Sequence, residues 1–399
     1  MSKINKHYRN IKTAIRKSKL PDWYFCSKYS LSPYMACEHA CKYCDGRAEK
    51  YYVKGDYEKD IVIRRNLPEQ LSKEIIKLRE PGIIFIGSGI SDSYQPVEKE
   101  EKIMQHCAKI FVENNFPVGI LTKSALIQRD IDLWKKVHEK NGFLLMISLT
   151  TLDDDIRQIF EPNASSVTER LGTIKKFKSA GIPVGVAAMP ILPFIQDSEK
   201  DLNKLFAKFS ELKVDFVMPG SLTLRPGIQK EVYLRTIQKQ YPQFLAKYED
   251  LYSDDFQSGV WHKEYRQKAY KIFHKVSNEF SFPIYAPHYI YKNKFSLYDE
   301  LYILLKNMTD LYELKNQPTP RLEYSVNNYN RWLKKEKQYF NRNRSLHYSQ
   351  LEEKLKYLLK FGKLYDIIRN KKLINFISEI ILERKTFDYK TLKLISVHP

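Results

Sequence analysis

The chain has 399 residues and a formal net charge of +20, from 67 Lys and Arg residues against 47 Asp and Glu residues. Its length suffices for two or three domains with a large core, and 43% hydrophobic residues is ordinary for a globular protein. Because no run of about 18 apolar residues occurs, we expect no transmembrane helix and no membrane partner.

The positive charge is concentrated in the last part of the chain. Residues 1–229 carry a net charge of +8, and residues 230–399 carry +12. A basic excess favours polyanions such as nucleic acid as partners. The alternative is a solvated basic surface without a ligand, because the whole chain is rich in Lys, Ile, Asn and Tyr.

Residues 1–20 are predicted to form a basic N-terminal arm or a short helix. Residues 1–19 contain seven Lys and Arg residues and no acidic residue, and no apolar segment follows them, so they do not form a secretory signal. The five cysteines, three of which are grouped, favour a reducing, cytoplasmic location. Residues 23–34 alternate in a way that predicts a first strand leading into the grouped cysteines.

The grouped cysteines are Cys37, Cys41 and Cys44, with the spacing C-x3-C-x2-C. Three thiolates on one short loop can hold three corners of a [4Fe–4S] cluster, and the fourth iron is then free to be chelated by an amine and a carboxylate. Zinc is the alternative, with His39 as a fourth ligand, but Cys37, His39 and Cys41 alternate more tightly than zinc ligands usually do. A disulfide would leave one thiol over. The pattern therefore favours the cluster.

Beyond the cysteines, buried apolar runs alternate with amphipathic helices. The apolar runs are at residues 83–87, 118–121, 143–149, 183–189 and 215–218, and the helices are at residues 69–79, 97–114, 127–140, 167–180 and 198–212. This alternation is typical of βα units around a parallel sheet. With the strand before the cysteines, about six strands are predicted. We therefore expect an α/β fold with a partial (βα)6 barrel; a doubly wound open sheet is the alternative.

Polar residues and a glycine follow the predicted strands, at the end where parallel sheets bind ligands. They are Gly87, Ser91, Asp92, Lys123, Ser148 and Thr150. A glycine lets the backbone approach a ligand closely, serine hydroxyls can bind a carboxylate or a ribose, and the Lys123 ammonium can bind a carboxylate. Ser and Thr also cap the helices that follow strands, so their shared location carries more weight than any one residue.

Residues 230–399 are predicted to be mainly α-helical, with helices at residues 232–252, 261–280, 297–312, 327–342 and 351–373. We therefore expect three segments: a basic arm at 1–20, an α/β core at 21–229 and a basic, mainly helical region at 230–399. Two stripes of aromatic residues and lysines, at residues 289–294 and 332–339, fit base stacking and phosphate binding. The alternative is that they are half-buried helix faces covered by long lysine side chains.

The segment Cys37-Glu38-His39-Ala40-Cys41-Lys42-Tyr43-Cys44, with an aromatic residue before its last cysteine, resembles the cysteine loop of the radical S-adenosylmethionine (SAM) enzymes. Further segments resemble the spore photoproduct lyase-like branch of these enzymes, and within it a bacterial group of unsettled substrate. They are Ser32-Pro33-Tyr34, Asp92-Ser93-Tyr94-Gln95-Pro96-Val97-Glu98, Thr122-Lys123-Ser124, Thr150-Thr151-Leu152-Asp153 and Glu161-Pro162 with Arg170. The resemblance covers about residues 30–230.

This resemblance implies a partial (βα)6 radical SAM barrel, a [4Fe–4S] cluster held by Cys37, Cys41 and Cys44, and SAM bound at the open iron. It implies an enzyme that cleaves SAM reductively to methionine and a 5'-deoxyadenosyl radical. The radical would act on an unidentified substrate, for which a nucleic-acid base is our first expectation, and the electron would come from a donor such as flavodoxin or ferredoxin. The side chains expected around the cluster and SAM are Tyr43, Gly87, Ser91, Asp92, Lys123, Ser148, Thr150 and Arg170.

One position departs from the pattern of the branch. In the lyase, a cysteine two residues before the motif's serine donates hydrogen, and this chain has Gly89 there. The departure puts photoproduct repair by the lyase's own mechanism in question. The hypothesis from another class is a non-catalytic iron–sulfur or zinc protein that binds nucleic acid through its basic helical half. Metal content and SAM cleavage would distinguish the two hypotheses.

Overall fold

The computed structural model describes residues 4–87, 90–343 and 346–396, so Gly89 lies outside the described residues. The strands in these ranges are β1 (Asn5–Arg9), β2 (Arg16–Asp22), β3 (Ser27–Leu31), β4 (Tyr34–Met35), β5 (Asp60–Arg64), β6 (Ile84–Ile86), β7 (Val118–Thr122), β8 (Phe143–Ser148), β9 (Val184–Ile191), β10 (Phe216–Ser221), β11 (Thr386–Asp388) and β12 (Lys393–Ile395). The α-helices in them are α1 (Leu67–Ile75), α2 (Glu98–Glu101), α3 (Ile103–Asn114), α4 (Ile131–Asn141), α5 (Asp154–Phe160), α6 (Val167–Ser179), α7 (Glu199–Glu211), α8 (Ile228–Gln240), α9 (Leu245–Leu251), α10 (Lys263–Glu279), α11 (His288–Tyr291), α12 (Leu297–Leu314), α13 (Pro320–Arg342), α14 (Tyr348–Lys360), α15 (Leu364–Ile368) and α16 (Lys371–Ile381).

The main sheet contains the six strands expected from the sequence. Its seven strands have the order β10-β9-β8-β7-β6-β3-β2, and β7, β8, β9 and β10 pair in parallel. Each strand from β6 to β10 is followed by at least one α-helix, and the rest of the chain beyond β10 is mainly helical. The predicted α/β class with a helical C-terminal region is therefore confirmed.

The parallel register brings the ends of the strands to one edge of the sheet. Thr122 at the end of β7 pairs with Ile147 of β8, and Ser148 at the end of β8 pairs with Ala187 of β9. Strand β8 is buried along its whole length, as expected for a parallel strand that is covered on both faces. The segments that follow these strands therefore begin next to one another.

Side-chain caps fix the helices that follow the strands. Asp153 accepts hydrogen bonds from two backbone N–H groups at the start of α5. Ser166 and Glu169 form a capping box at the start of α6, and Ser198 caps α7. Such caps satisfy N–H groups that have no partner within the helix, so each helix begins at a defined residue.

The predicted N-terminal arm or short helix is instead formed by two strands, which corrects the expectation for residues 1–20. Strand β1 pairs in parallel with β5, and β2 pairs in antiparallel orientation with β3. Lys6 on β1 also forms ion pairs with Glu100 and Glu101, at 2.6 and 3.2 Å. The charge pattern did not reveal this, because strand pairing depends on partners that are distant in sequence.

Several predicted helices are divided by residues in the left-handed conformation. Lys102, with φ of 52°, separates α2 from α3. The single helix expected at residues 351–373 is instead α14, α15 and the start of α16, with Gly362 (φ 71°) and Arg369 (φ 54°) at the breaks. None of the α-helices in the described ranges has both the length and the apolar composition that a membrane-crossing segment requires.

The packing of the chain divides it into two compact units, and the three segments expected from the sequence stay a prediction. Unit 1 consists of Met1–Ala14, Leu31–Glu74 and Ile86–Ile284. Unit 2 consists of Ile15–Ser30, Ile75–Phe85 and Tyr285–Pro399. Each unit is therefore assembled from three separate stretches of sequence.

Unit 2 contains four charged side chains that alternate in sign, which we call the charged square. Lys28 Nζ lies 2.8 Å from Glu80 Oε2 and 3.0 Å from Asp299 Oδ2. Lys337 Nζ lies 3.0 and 2.8 Å from the same two oxygen atoms. Both lysines and Asp299 are buried, so their charges are balanced by one another rather than by water. The square joins all three stretches of unit 2.

Candidate functional site

The three grouped cysteines lie on one loop of unit 1 and face a common cavity of about 100 Å³. The loop follows β4 and is wound tightly, with Ala36 and Ala40 in the left-handed conformation at φ of 63° and 56°. Its backbone turns back twice, through bonds from Ala40 N to Cys37 O and from Cys44 N to Cys41 O. The cavity is lined by Cys37, His39, Cys41, Cys44, Tyr57, Gly87, Ser91, Asp92, Leu121, Thr122, Lys123 and Ser148.

Hydrogen bonds to other segments of unit 1 hold the backbone of this loop. Lys42 N donates to the carbonyl of Phe160 at 2.8 Å, and Cys37 N donates to the carbonyl of Tyr57 at 3.1 Å. Arg47 Nε donates to the carbonyl of Cys41 at 2.8 Å. The shape of the loop is thus set by protein atoms on both sides of the cysteines.

Glu38, within the loop, is held by residues in or next to the motif segments quoted from the sequence. Its backbone N–H donates to Gln95 Oε1 at 2.8 Å, and its carboxylate accepts from Val97 N at 2.6 Å. Asn163 Nδ2 donates to the Glu38 carbonyl at 2.8 Å. Segments 92–98 and 161–163 therefore brace the cysteine loop, which gives their sequence pattern a structural reason.

The donor set fits an iron–sulfur cluster better than a single metal ion. All five cysteines of the chain are free thiols. Within the described ranges, no three His, Cys, Asp or Glu side chains are grouped as ligands of one ion would be. A cubane cluster does not require this, because its cysteines bind different irons. Cys37, Cys41 and Cys44 on one cavity match that requirement, and a Cys3His zinc site with His39 is not favoured.

Burial disfavours the thiolate forms of Cys37 and Cys41. Burial raises the pKa of Cys37, and the nearby Asp92 carboxylate raises it further. Burial raises the pKa of Cys41 to about 12, although the Lys123 ammonium opposes the change. Buried thiolates are therefore costly here unless positive charge accompanies them, which is the charge that iron ions supply.

Asp92 joins the cysteine loop to the end of β7. Its Oδ1 accepts from Thr122 Oγ1 at 2.7 Å and from Tyr94 N at 2.8 Å, and its Oδ2 accepts from Lys123 N at 2.8 Å. His39 Nδ1 lies 3.5 Å from Oδ2. Burial lowers the pKa of His39, although Asp92 opposes the change. The Asp92 carboxylate thus orients the residues around the cavity.

A second buried network surrounds Tyr43. The Tyr43 hydroxyl donates to one carboxylate oxygen of Glu161, and Arg170 Nη2 donates to the other. Arg170 also donates to the carbonyls of Ser148 and Ser165, at 2.9 and 2.8 Å. Lys123 Nζ lies 5.6 Å from the centre of the Tyr43 ring. Arg170 therefore fixes the end of β8 and the position of Tyr43.

The network around Tyr43 carries more positive than negative charge. Burial raises the pKa of Glu161, but the charges of Arg170 and Lys123 outweigh it and leave that pKa below its usual value. Burial lowers the pKa of Lys123, but attraction to Cys41 and Glu161 outweighs it and leaves that pKa raised. Within this network two cations face one carboxylate, and the Asp92 carboxylate on the cavity wall is a second negative group. The Lys123 ammonium can therefore attract thiolates or a ligand carboxylate locally.

Three other cavity residues can accommodate a ligand, two through a hydroxyl group and one through the absence of a side chain. Ser91 Oγ donates to the Ala36 carbonyl at 2.8 Å and accepts from Gln95 Nε2 at 3.1 Å, which leaves it one acceptor position. Ser148 Oγ donates to the Met189 carbonyl at 3.3 Å and retains acceptor capacity. Gly87 has φ of 121°, and a Cβ there would overlap the Leu121 carbonyl oxygen. Only glycine fits this position without strain.

Eight of the eleven residues expected from the sequence line the cavity. The other three are Tyr43, Thr150 and Arg170, all of which are buried. Sequence reasoning did not select Glu161 as a site residue, although it lay in a quoted motif. It also missed Tyr57, whose hydroxyl lies 3.0 Å from Cys44 Sγ and donates to the Ile90 carbonyl at 3.0 Å. No local pattern in the sequence marks Tyr57.

Comparison with known proteins places this site in a family. The radical SAM superfamily matches residues 31–206. An uncharacterised protein of Methanocaldococcus jannaschii is 31% identical over 189 residues, which cover 47% of this chain and 68% of that protein. The chain belongs to the radical SAM superfamily. Its membership implies a [4Fe–4S] cluster and SAM.

The chain is also similar to a solved structure and to a phage protein. The structure titled spore photoproduct lyase complexed with dinucleoside spore photoproduct is 15% identical, with a TM-score of 0.52 over 69% of this chain and 79% of that chain. That similarity is one of fold. The radical SAM Nα-GlyT isomerase of Pseudomonas phage M6 is 23% identical over 231 residues, which cover 57% of this chain and 46% of the isomerase.

Proposed function

We propose that this protein is a radical SAM enzyme in which Cys37, Cys41 and Cys44 hold a [4Fe–4S] cluster. With SAM bound, such a cluster supplies the electron that cleaves SAM to methionine and a 5'-deoxyadenosyl radical. The observation that carries the proposal is the convergence of three thiols on one cavity, together with Lys123 and Ser148 from the neighbouring strand ends.

The residues of the cavity have separate roles in this proposal. The Lys123 ammonium binds the SAM carboxylate, and the hydroxyls of Ser91 and Ser148 accept hydrogen bonds from SAM. The backbone at Gly87 allows SAM to approach closely. Asp92 holds the Lys123 segment in place through the bond from Lys123 N.

Tyr43, Glu161 and Arg170 act as positioning residues in the proposal. The ring of Tyr43, which is part of the cysteine loop, lies 5.6 Å from the Lys123 ammonium, and Glu161 accepts a hydrogen bond from its hydroxyl. Arg170 donates hydrogen bonds to the Glu161 carboxylate and to the carbonyls of Ser148 and Ser165. It therefore supports SAM binding through the end of β8. Thr150, buried beyond β8, supports the same end.

A nucleic-acid base is the proposed substrate, and a reduced flavodoxin or ferredoxin in the cytoplasm is the proposed electron donor. The positive charge of residues 230–399, +12, and the fold shared with a lyase solved with a dinucleoside support the substrate class. Because Gly89 occupies the position of the lyase's hydrogen-donating cysteine, the proposal does not include photoproduct repair by that route.

The experiment is the release of 5'-deoxyadenosine from SAM by anaerobically reconstituted protein with dithionite. We expect about four iron and four sulfide per chain, and release by the wild type but not by Cys44→Ala. Cys107→Ala is the matched control, because Cys107 is a buried thiol on α3 outside the cavity. It should keep both the cluster and the release.

The competing hypothesis is a non-catalytic iron–sulfur or zinc protein that binds nucleic acid. One zinc per chain and no cluster would favour its zinc form. A complete cluster without SAM cleavage, tested with nucleic acids present, would favour its iron–sulfur form. Either outcome would reject the enzymatic proposal.

A further inference from the structure

The surface of residues 354–372 in unit 2 has an unusual composition. This stretch contains seven Lys and Arg residues and one acidic residue, Asp366. Its exposed positions are Lys354, Lys356, Tyr357, Lys360, Phe361, Gly362, Lys363, Tyr365, Asp366, Arg369, Lys371 and Lys372. Apart from Gly362 and Asp366, every exposed side chain in it is therefore basic or aromatic.

Three aromatic rings of this stretch are open to solvent. Phe361 is 58% exposed, Tyr357 48% and Tyr365 42%. Large aromatic side chains usually bury most of their surface. Three such rings within nine residues are therefore not explained by the core of unit 2, and the exposed part of each ring is accessible to a ligand.

Cations stand over two of these rings. The centres of Tyr357 and Phe361, one helical turn apart, are 4.6 Å from each other. Lys363 Nζ lies 5.2 Å from the centre of the Tyr357 ring and 3.3 Å from its hydroxyl. Lys360 Nζ lies 5.8 Å from the centre of the Phe361 ring. We call Tyr357, Lys360, Phe361, Lys363 and Tyr365 the aromatic–basic patch.

None of the aliphatic residues of the same stretch is fully open to solvent. Leu355, Leu359, Leu364 and Ile368 are buried in unit 2, and Leu358 and Ile367 are half-buried. Helices that lie on membranes insert exposed aliphatic side chains together with aromatic ones. The patch instead presents flat rings and ammonium groups, which are suited to stacking with bases and pairing with phosphates.

The stripes selected from the sequence are exposed only in part. Tyr291 is fully buried and Lys337 is buried in the charged square, whereas Tyr289 and Tyr339 are 55% and 59% exposed. Helices α14 and α15 are the stronger candidate surface, because three exposed rings lie there within nine residues and lysines stand over two of them.

We propose that the aromatic–basic patch binds single-stranded nucleic acid. The rings stack with unpaired bases, and Lys360 and Lys363 pair with the phosphates between them. Paired bases offer no free faces for stacking, so a duplex is a poorer ligand for this surface. The inference deepens the proposed function by giving the nucleic-acid substrate class a binding surface, but strand binding itself requires no SAM cleavage.

The test measures the binding of a fluorescein-labelled oligothymidylate of about 16 nucleotides to the full-length, anaerobically reconstituted protein by fluorescence anisotropy, without SAM. We expect Phe361→Ala and Tyr357→Ala each to weaken binding about fivefold or more, as loss of one stacked base does. Tyr52→Ala is the matched control, because Tyr52 is an exposed aromatic residue of unit 1, and it should leave the Kd unchanged.

The lysines are tested by the salt dependence of the same binding. Between 50 and 200 mM salt, Lys360→Ala and Lys363→Ala should each reduce the slope of log K against log salt by about 0.7. Lys204→Ala, at an exposed position on α7 in unit 1, should retain the wild-type slope.

Three outcomes would overturn the inference. One is no binding of the oligothymidylate by the wild type, and another is the same Kd for Phe361→Ala and the wild type. The third is weak binding of both strand and duplex, with tight binding to vesicles of phosphatidylcholine and phosphatidylserine, which would identify a membrane surface.

A parallel assay separates this inference from the proposed function. The same wild-type preparation is assayed for 5'-deoxyadenosine release. Patch-dependent strand binding without release would reject the enzymatic proposal and retain the patch. Release without patch-dependent binding would retain the enzymatic proposal and reject the patch.

Discussion

Two buried charged residues illustrate what single side chains contribute to this site. Glu161 and Arg170 are 2% and 1% exposed, and each is the other's counterion. Their motif was visible in the sequence, but their pairing was not, because it depends on the approach of α6 to the loop after α5. Gly87 was predictable from its position at the end of a predicted strand. Tyr57 could be recognised as a site residue only from the three-dimensional structure.

Glu161→Gln should strongly destabilise the protein. The substitution keeps the shape of the side chain but leaves the Arg170 guanidinium buried without a counter-charge. Breaking a buried pair in this way costs about 3–5 kcal/mol, measured as the free energy of unfolding in urea. Glu199→Gln is the control, because the Glu199–Lys275 pair is about half exposed and should cost less than about 1 kcal/mol. Equal losses in the two variants would contradict the prediction.

Gly87→Ala should impair the cavity, whereas Gly172→Ala should be tolerated. At Gly87 a methyl group is disfavoured by the positive φ and by the Leu121 carbonyl oxygen. At Gly172, inside α6, a methyl group would meet no atom within 4 Å, and replacing a helical glycine by alanine gains about 0.5–1 kcal/mol. Thermal unfolding temperatures should change with opposite signs in the two variants, and SAM binding should weaken in Gly87→Ala only. A stabilised Gly87→Ala protein would contradict the prediction that only glycine fits at position 87.

At the scale of elements, the strands were easier to predict than the divisions between helices. Buried apolar runs such as that of β8 mark a parallel strand by themselves. The helix breaks at Lys102 and Arg369 have no comparable signal in the sequence, because lysine and arginine are common inside helices. Both residues nevertheless have a positive φ in the fold. Strands β1 and β2 were missed for the same reason, since their hydrogen-bonding partners are distant in sequence.

Helix α10 should give the protein a pH-dependent stability through His274. Burial lowers the pKa of His274 to about 4, below the ordinary value of about 6.5. The unfolded chain therefore binds a proton more readily, and stability present above pH 6.5 is lost as the pH falls towards 4. Between pH 7 and pH 5, the wild type should lose about 2 kcal/mol more than His274→Gln in urea unfolding. Parallel losses in the two proteins would contradict this.

At the scale of the whole molecule, unit 2 is assembled from stretches that lie far apart in sequence. It includes Ile15–Ser30 and Ile75–Phe85 as well as Tyr285–Pro399. The shift in charge near residue 230 predicts consecutive segments, and that division stays a prediction. Lys28, Glu80 and Lys337 are ordinary charged residues in the sequence. Only the fold brings them to Asp299.

Asp299→Asn should destabilise unit 2 as a whole. The change would leave Lys28 and Lys337 to share Glu80 alone, with their ammonium groups still buried. We expect a loss of about 3–5 kcal/mol, together with faster amide hydrogen exchange in all three stretches of the unit. Asp366→Asn, at an exposed position on α15, is the control. Exchange that rises only around α12 would argue against a role for the square in joining the stretches.

The hydrogen bonds that hold the cysteine loop have a consequence for how the protein survives in air. Backbone atoms of Lys42, Cys37 and Cys41 are hydrogen-bonded to other protein groups, so the protein itself supplies part of what fixes the loop. We therefore expect loss of the cluster to oxygen to leave the chain around the loop folded, and added iron and sulfide to restore the cluster in place.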